Sequence, residues 1–194
     1  LQYKLTFKGN PWESPPAYTV KVQQLVCAIL GTLLAHGWRL EATSDLSRSP
    51  SDKDTMVFLR ATPHVVAEGD MFAVSLHSTD RLRVIDTPPA VEKAVEQAVR
   101  AHWPAGVHEI KRVLDSLELK LHGNPWFGHL NHSITPRFML AQVLARLKNL
   151  GYSLYSSVDV SRGVEGQDLD TWIFIRNLPS STSLGGFPNF EGDM

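Results

Sequence analysis

The chain has 194 residues, 43% hydrophobic and 20% charged, with a formal net charge of −1. This is an ordinary globular composition, and its charge gives no global reason to expect nucleic acid or an anionic membrane as partner. The longest apolar stretch, Leu25 to Ala35, carries Gly31 and Thr32 and falls well short of the roughly 20 residues that cross a bilayer, so no membrane span is expected.

Tyr3 to Lys8 alternates apolar and polar side chains, which predicts a half-buried strand ended by Gly9-Asn10-Pro11-Trp12. From Thr19, a candidate N-cap, the spacing of Val22, Leu25, Val26, Ile29, Leu30 and Leu33 predicts a helix closed at Gly37. A strand is expected from Trp38 to Asp45. Met56 to Leu59 is an unbroken apolar run and reads as a central strand covered on both faces, where two halves of the molecule could pack. Met71 to Leu76 and Leu82 to Ile85, joined by Ser78-Thr79-Asp80, read as a hairpin. Pro88-Pro89 then opens a helix that buries Val91, Val95, Ala98 and Val99 and closes at Pro104-Ala105-Gly106. The spacing of Val107, Ile110, Val113 and Leu114 predicts a short connecting helix.

The second half of the chain repeats the beginning. Leu5 to Arg48 returns as Leu119 to Arg162 at a constant offset of 114 (123 minus 9, 162 minus 48), with Gly123-Asn124-Pro125-Trp126 repeating the first Gly-Asn-Pro-Trp. Asp54 to Arg60 returns as Asp170 to Arg176, two residues further along. Leu117 to His122 keeps the phase of the first strand, and Ser133 precedes a helix marked by Phe138, Val143, Leu144 and Leu147. Gly151 closes that helix, and strands are expected at Tyr152 to Asp159 and Trp172 to Ile175.

The expected fold is α+β: two tandem β-α-β-β units with antiparallel sheets and helices on one face, the first extended by a hairpin and a helix. Residues 1–105 form the first unit, 106–116 the connecting helix and 117–194 the second unit. Glu191-Gly192-Asp193-Met194 repeats Glu68-Gly69-Asp70-Met71, which leads into the hairpin. The second unit is therefore read as truncated, the chain as a fragment of a longer one, and the second unit as keeping an open strand edge where the hairpin would lie.

Gly-Asn-Pro-Trp is the sharpest local signature. It reads as a tight turn with its Trp folded over the sheet edge, and alternatively as a partner anchor through Asn10, Trp12, Asn124 and Trp126. Asp45, Ser47 and Arg48, with Asp159, Ser161 and Arg162, read as turn caps, and the two arginines as further candidate binding residues. Neither set contains a His or a second carboxylate shared by both copies, which argues against common acid–base catalysis. His122, His129 and His132 correspond to Lys8, Pro15 and Tyr18 in the first copy. They lack a fourth ligand of suitable spacing, so no metal or cofactor is expected. Cys27 corresponds to Ala141 and reads as a small core residue. As the sole cysteine it favours a reducing, cytoplasmic compartment. Asp80-Arg81-Leu82-Arg83 reads as a solvated strand face.

These readings point to a non-catalytic interaction or scaffold module that takes a protein partner, or self-associates, through the Trp loops or the open edge of the second unit. The rivals are an enzyme with its pocket between the units, and a binder of single-stranded nucleic acid on an aromatic sheet face.

Overall fold

A computed structural model describes residues 4, 6–8, 11, 18–46, 54–127, 134–159 and 169–177. The apolar stripe that begins at Val20 folds as α1 (Thr19–Ala35). Tyr18, not Thr19, holds its N-cap position and makes no side-chain cap bond; Thr19 is already helical, and its Oγ1 accepts a hydrogen bond from Arg83 Nη1 at 2.9 Å. Gly37 ends the helix with φ +78°, and the corresponding Gly151 has φ +86°. A Cβ on Gly37 would lie 2.7 Å from the carbonyl oxygen of Ala61, whereas one on Gly151 would meet nothing within 4 Å. We expect Gly151→Ala to cost about 1 kcal/mol from the left-handed backbone alone, and Gly37→Ala about 2 to 3 kcal/mol because the neighbouring chain must also move. Equal losses in denaturant melts would show that the Ala61 carbonyl does not constrain the site.

Two antiparallel sheets complete the framework. One is the hairpin of β1 (Trp38–Ser44) and β2 (Thr55–Arg60). The other has six strands in the order β5-β6-β4-β3-β8-β7, drawn from β3 (Met71–His77), β4 (Arg81–Ile85), β5 (Val107–Val113), β6 (Ser116–Leu121), β7 (Tyr152–Val158) and β8 (Thr171–Arg176). The period-two alternation of these strands sorts their side chains to opposite faces. Phe72, Val74, Leu82, Val84, Leu117, Leu119, Leu121 and Phe174 pack with α2 (Pro89–His102) and α3 (Ile134–Asn149). Met71, Ala73, Ile85, Ile173 and Ile175 pack with α1 on the other side. The fold is thus α+β, with the six-stranded sheet between a helix pair and α1.

Strand pairing changes several expectations. Residues 107–113 form a strand, not a helix: the register of β5 against β6 slips between Val107 and Glu109, and this bulge lets Val107 and Ile110, three apart, face one core. The turn after it, Leu114-Asp115, has positive φ at both residues (46° and 66°), as a two-residue hairpin demands. The apolar run of β8 lies between β3 and β7 as expected of a covered strand, but its copy in β2 pairs with β1 alone among the described residues, and Val57 and Leu59 are exposed. The halves join by strand pairing of β3 with β8 and of β4 with β6, and the two apolar runs contribute to one core, Met56 and Phe58 packing against the cluster that holds Ile173 and Ile175. Val143, Leu147 and Phe174 are buried as expected, whereas Ile29, Leu33 and Phe58 are only partly so. The hairpin expected to be missing beside β8 is β3–β4 itself, and among the described residues the edge left without a strand at this position of the repeat is that of β2, in the first half. The first expected strand does not form: Lys4, Thr6, Phe7 and Lys8 are described and none of them lies in a strand, while Ser133 is outside the described residues.

Candidate interaction surface

The hairpins β1–β2 and β7–β8 are built alike. Trp38 pairs with Arg60 as Tyr152 pairs with Arg176, and the register slips at Leu40/Ala42 in one and Leu154/Ser156 in the other, 114 residues apart (154 minus 40). On β8, Phe174 and Trp172 turn toward α3 while Ile173 and Ile175, 0% and 4% exposed, turn toward α1. On β2, Met56 and Phe58 pack toward α1, but Val57 and Leu59 are 47% and 42% exposed. One sequence pattern is therefore seen with its far face covered and with it open.

The strand ends show the same contrast. Arg176 pairs through Nε with the Asp70 carboxylate, its backbone N–H donates to Asp70 O at 2.7 Å, and its guanidinium lies 4.8 Å from the Tyr152 ring centre. Arg60 lies 4.0 Å over the Trp38 ring in the matching arrangement, and among the described residues no carboxylate pairs with it.

The helices extend the comparison. In α3, Pro136, Met139, Val143 and Leu147 are buried in the core that α2 shares. Their counterparts in α1 are Val22, which is buried, and Leu25, Ile29 and Leu33, which are only partly so. α1 spends its adjacent stripe, Val20, Cys27, Leu30 and Leu34, in the core it shares with the six-stranded sheet. The side of α1 that matches the α2-facing side of α3 has no helix against it among the described residues.

Of the residues singled out in the sequence, Asn10, Trp12, Arg48 and Arg162 lie outside the described residues, as do Ser47, Ser161, His129 and His132. Asn124 accepts a hydrogen bond from Thr79 Oγ1 at 3.0 Å. Trp126 is half-buried against the α2/α3 core, and its indole N–H donates to Arg81 O at 3.0 Å, so this turn is folded back on the start of β4. His122 meets His108 edge to face at 4.8 Å, and no group of three His, Cys, Asp or Glu among the described residues could hold a metal.

The Asp80–Arg83 stretch is not a solvated face. Arg83 is 3% exposed, and Glu118 Oε2 accepts from Arg83 Nε at 2.6 Å while Glu118 Oε1 accepts from Arg81 Nη1 at 2.6 Å, with Lys111 Nζ 3.4 Å away. Burial alone would push the Glu118 carboxyl up, but the hydrogen bonds and charges of Arg83 and Arg81 outweigh it and hold the group below its ordinary range. Sequence reasoning misses Glu118 because its strand alternates like any half-buried one. The signal that could have found it is a charge on the face opposite Leu117 and Leu119, together with two arginines at spacing two in the hairpin before it.

A groove of about 990 Å³ runs between α1, residues 65–69 and the start of α2. Its lining draws only Arg112 and Asp115 from beyond residue 105, so it is not a pocket between the two copies. Two of its acidic groups are engaged: Glu92 binds Arg112 at 2.6 and 2.7 Å, and Asp86 accepts from the Gln24 amide at 2.7 Å. Cys27, also in the lining, is buried, and desolvation together with the nearby Asp86 charge pushes its thiol up to about 12. We expect native protein at pH 8 to react with a thiol reagent only through unfolding; stoichiometric labelling that denaturant does not accelerate would contradict this.

These features define an α+β domain in which a helix and hairpin occur twice, once with the second hairpin strand inside the six-stranded sheet and once, among the described residues, with that strand at an edge. The chain belongs to a family whose model, described only as a domain, matches residues 1–59 and 70–175. The break between the matched stretches falls in the connection from β2 to β3, beside the open edge. No curated protein and no solved structure matches the chain.

Proposed function

We propose that this chain is a non-catalytic protein-interaction module whose partner meets the open side of the first copy, β2 with Val57 and Leu59. The observation that carries this reading is the contrast between β2 and β8. The same strand that is paired on both edges and covered on both faces in one setting offers, among the described residues, an unpaired edge and exposed apolar side chains in the other. An edge of this kind is the surface on which strand addition operates. Among the other end strands, β1, β5 and β7, β5 carries His108, Glu109, Lys111 and Arg112 along its length, the charged dressing that discourages pairing. A reducing interior suits a buried, unpaired Cys27, and no helix among the described residues is long and apolar enough to cross a membrane.

The enzyme reading is less well served, since in the groove beside α1 Glu92 is paired with Arg112, Asp86 is bonded to the Gln24 amide, and the thiol is held in its neutral form. The nucleic-acid reading needs a free aromatic sheet face, and both faces of the six-stranded sheet are packed by helices. The test is affinity capture with the wild-type chain and with Val57→Lys/Leu59→Lys. Both side chains point away from the core, so the variant should melt within about 0.5 kcal/mol of wild type and lose the captured partners. A variant that folds and captures the same set would remove β2 from the interaction.

A further inference from the structure

We infer that the open edge of β2 takes an antiparallel strand of a partner polypeptide that begins with an aspartate and continues with apolar residues, and that Arg60 reads the aspartate. This rests on the interaction reading above and adds the chemistry, direction and register of the occupant.

The chain contains the template. β3 lies antiparallel to β8 with Met71 opposite Ile175, Ala73 opposite Ile173 and Ser75 opposite Thr171. Asp70, one residue before the strand, receives Arg176 through both its side chain and its carbonyl. At an offset of 116 (176 minus 60), Ile175, Ile173, Thr171 and Arg176 are Leu59, Val57, Thr55 and Arg60. The incoming strand therefore sets its first apolar residue opposite Leu59, a small one opposite Val57 and a hydroxyl residue opposite Thr55. Its aspartate falls at Arg60, which already sits over Trp38 as Arg176 sits over Tyr152. Arg60 is the sole charge in Thr55–Arg60, so it fixes the polarity of the added strand. The leader itself recurs in the sequence: Glu68-Gly69-Asp70-Met71 is written again as Glu191-Gly192-Asp193-Met194.

The side of α1 that no described helix covers agrees. β3–β4 is followed by α2, which shares one core with Met139, Val143 and Leu147 of α3, the counterparts of Leu25, Ile29 and Leu33 of α1. A partner that supplied a strand in this way, with a helix behind it, would close the edge and the helix face together. A second copy pairing β2 with β2 fits less well. Antiparallel self-pairing sets Arg60 against Thr55 and leaves the guanidinium without a carboxylate.

The probe is a labelled peptide with the sequence of residues 68–77, added to the full chain and followed by anisotropy and by amide exchange. Saturable binding is expected, at least about tenfold weaker for Arg60→Ala and for a peptide carrying Asp70→Asn, with exchange slowed at residues 55–60. Binding indifferent to both changes would overturn the aspartate recognition while leaving a partner edge on β2. Slowed exchange at residues 171–176, with loss of binding in Arg176→Ala, would mean that the peptide displaces β3 and would overturn the β2 site. No binding by the peptide would overturn the inference, with the capture experiment still deciding the broader reading. Concentration-dependent dimerisation blocked by Val57→Lys would overturn it in favour of a second copy.

Discussion

Glu118→Ala is expected to destabilise the chain by about 3 to 5 kcal/mol, the range for removing one partner from a buried ion pair. The Glu118 side chain is fully buried and that of Arg83 4% exposed, so the truncation removes from the core a carboxylate that accepts from Arg83 Nε at 2.6 Å and from Arg81 Nη1 at 2.6 Å. Part of the cost is the desolvation of the guanidinium, which this carboxylate offsets. Replacing Glu118 and Arg83 together with Leu and Met should therefore recover much of the loss. The pH dependence has a definite sign. The folded-state pKa of Glu118 is lowered, so its contribution is complete above the ordinary carboxylate value and is lost as pH falls through the lower folded value. Urea melts of wild type should show stability dropping on acidification, and Glu118→Gln should flatten that slope. Parallel slopes for the two proteins would show that Glu118 titrates alike in both states.

The parts of the fold that are legible in the sequence are those set by local periodicity and punctuation. α1, α2 and the β3–β4 hairpin follow from spacing and from prolines and glycines whose backbone requirements are local. Pairing order is not legible, because it depends on which strand finds which edge. The same apolar tetrad pattern, Met56 to Leu59 and Trp172 to Ile175, is half-exposed in one place and buried in the other, and nothing within either stretch distinguishes them. The bulge in β5 imitates helical spacing, since a slipped register brings residues three apart onto one face. At the candidate site, Arg60 and Arg176 are visible in the sequence as a repeated pair. Their different settings depend on the fold, which brings Asp70 beside one of them and, among the described residues, no acid beside the other.

Leu147→Ala and Leu33→Ala test the same asymmetry through the core. The two leucines occupy equivalent helix positions, 114 residues apart (147 minus 33). Leu147 is 0% exposed in the core that α2 shares, and its truncation is expected to cost about 2 to 5 kcal/mol because close-packed neighbours on every side cannot refill the space. Leu33 is only partly buried, and solvent already reaches the side of α1 that no described helix covers. Its truncation removes transfer energy without opening a closed cavity and should cost about 1 kcal/mol. Both can be read from the shift in denaturant midpoint at constant slope. Equal losses would mean that α1 is covered as α3 is, and would take away the helix face argued for the partner. If instead Leu33→Ala is mild in the free chain and weakens capture of the partner, that face is covered on binding, as α2 covers the matching face of α3.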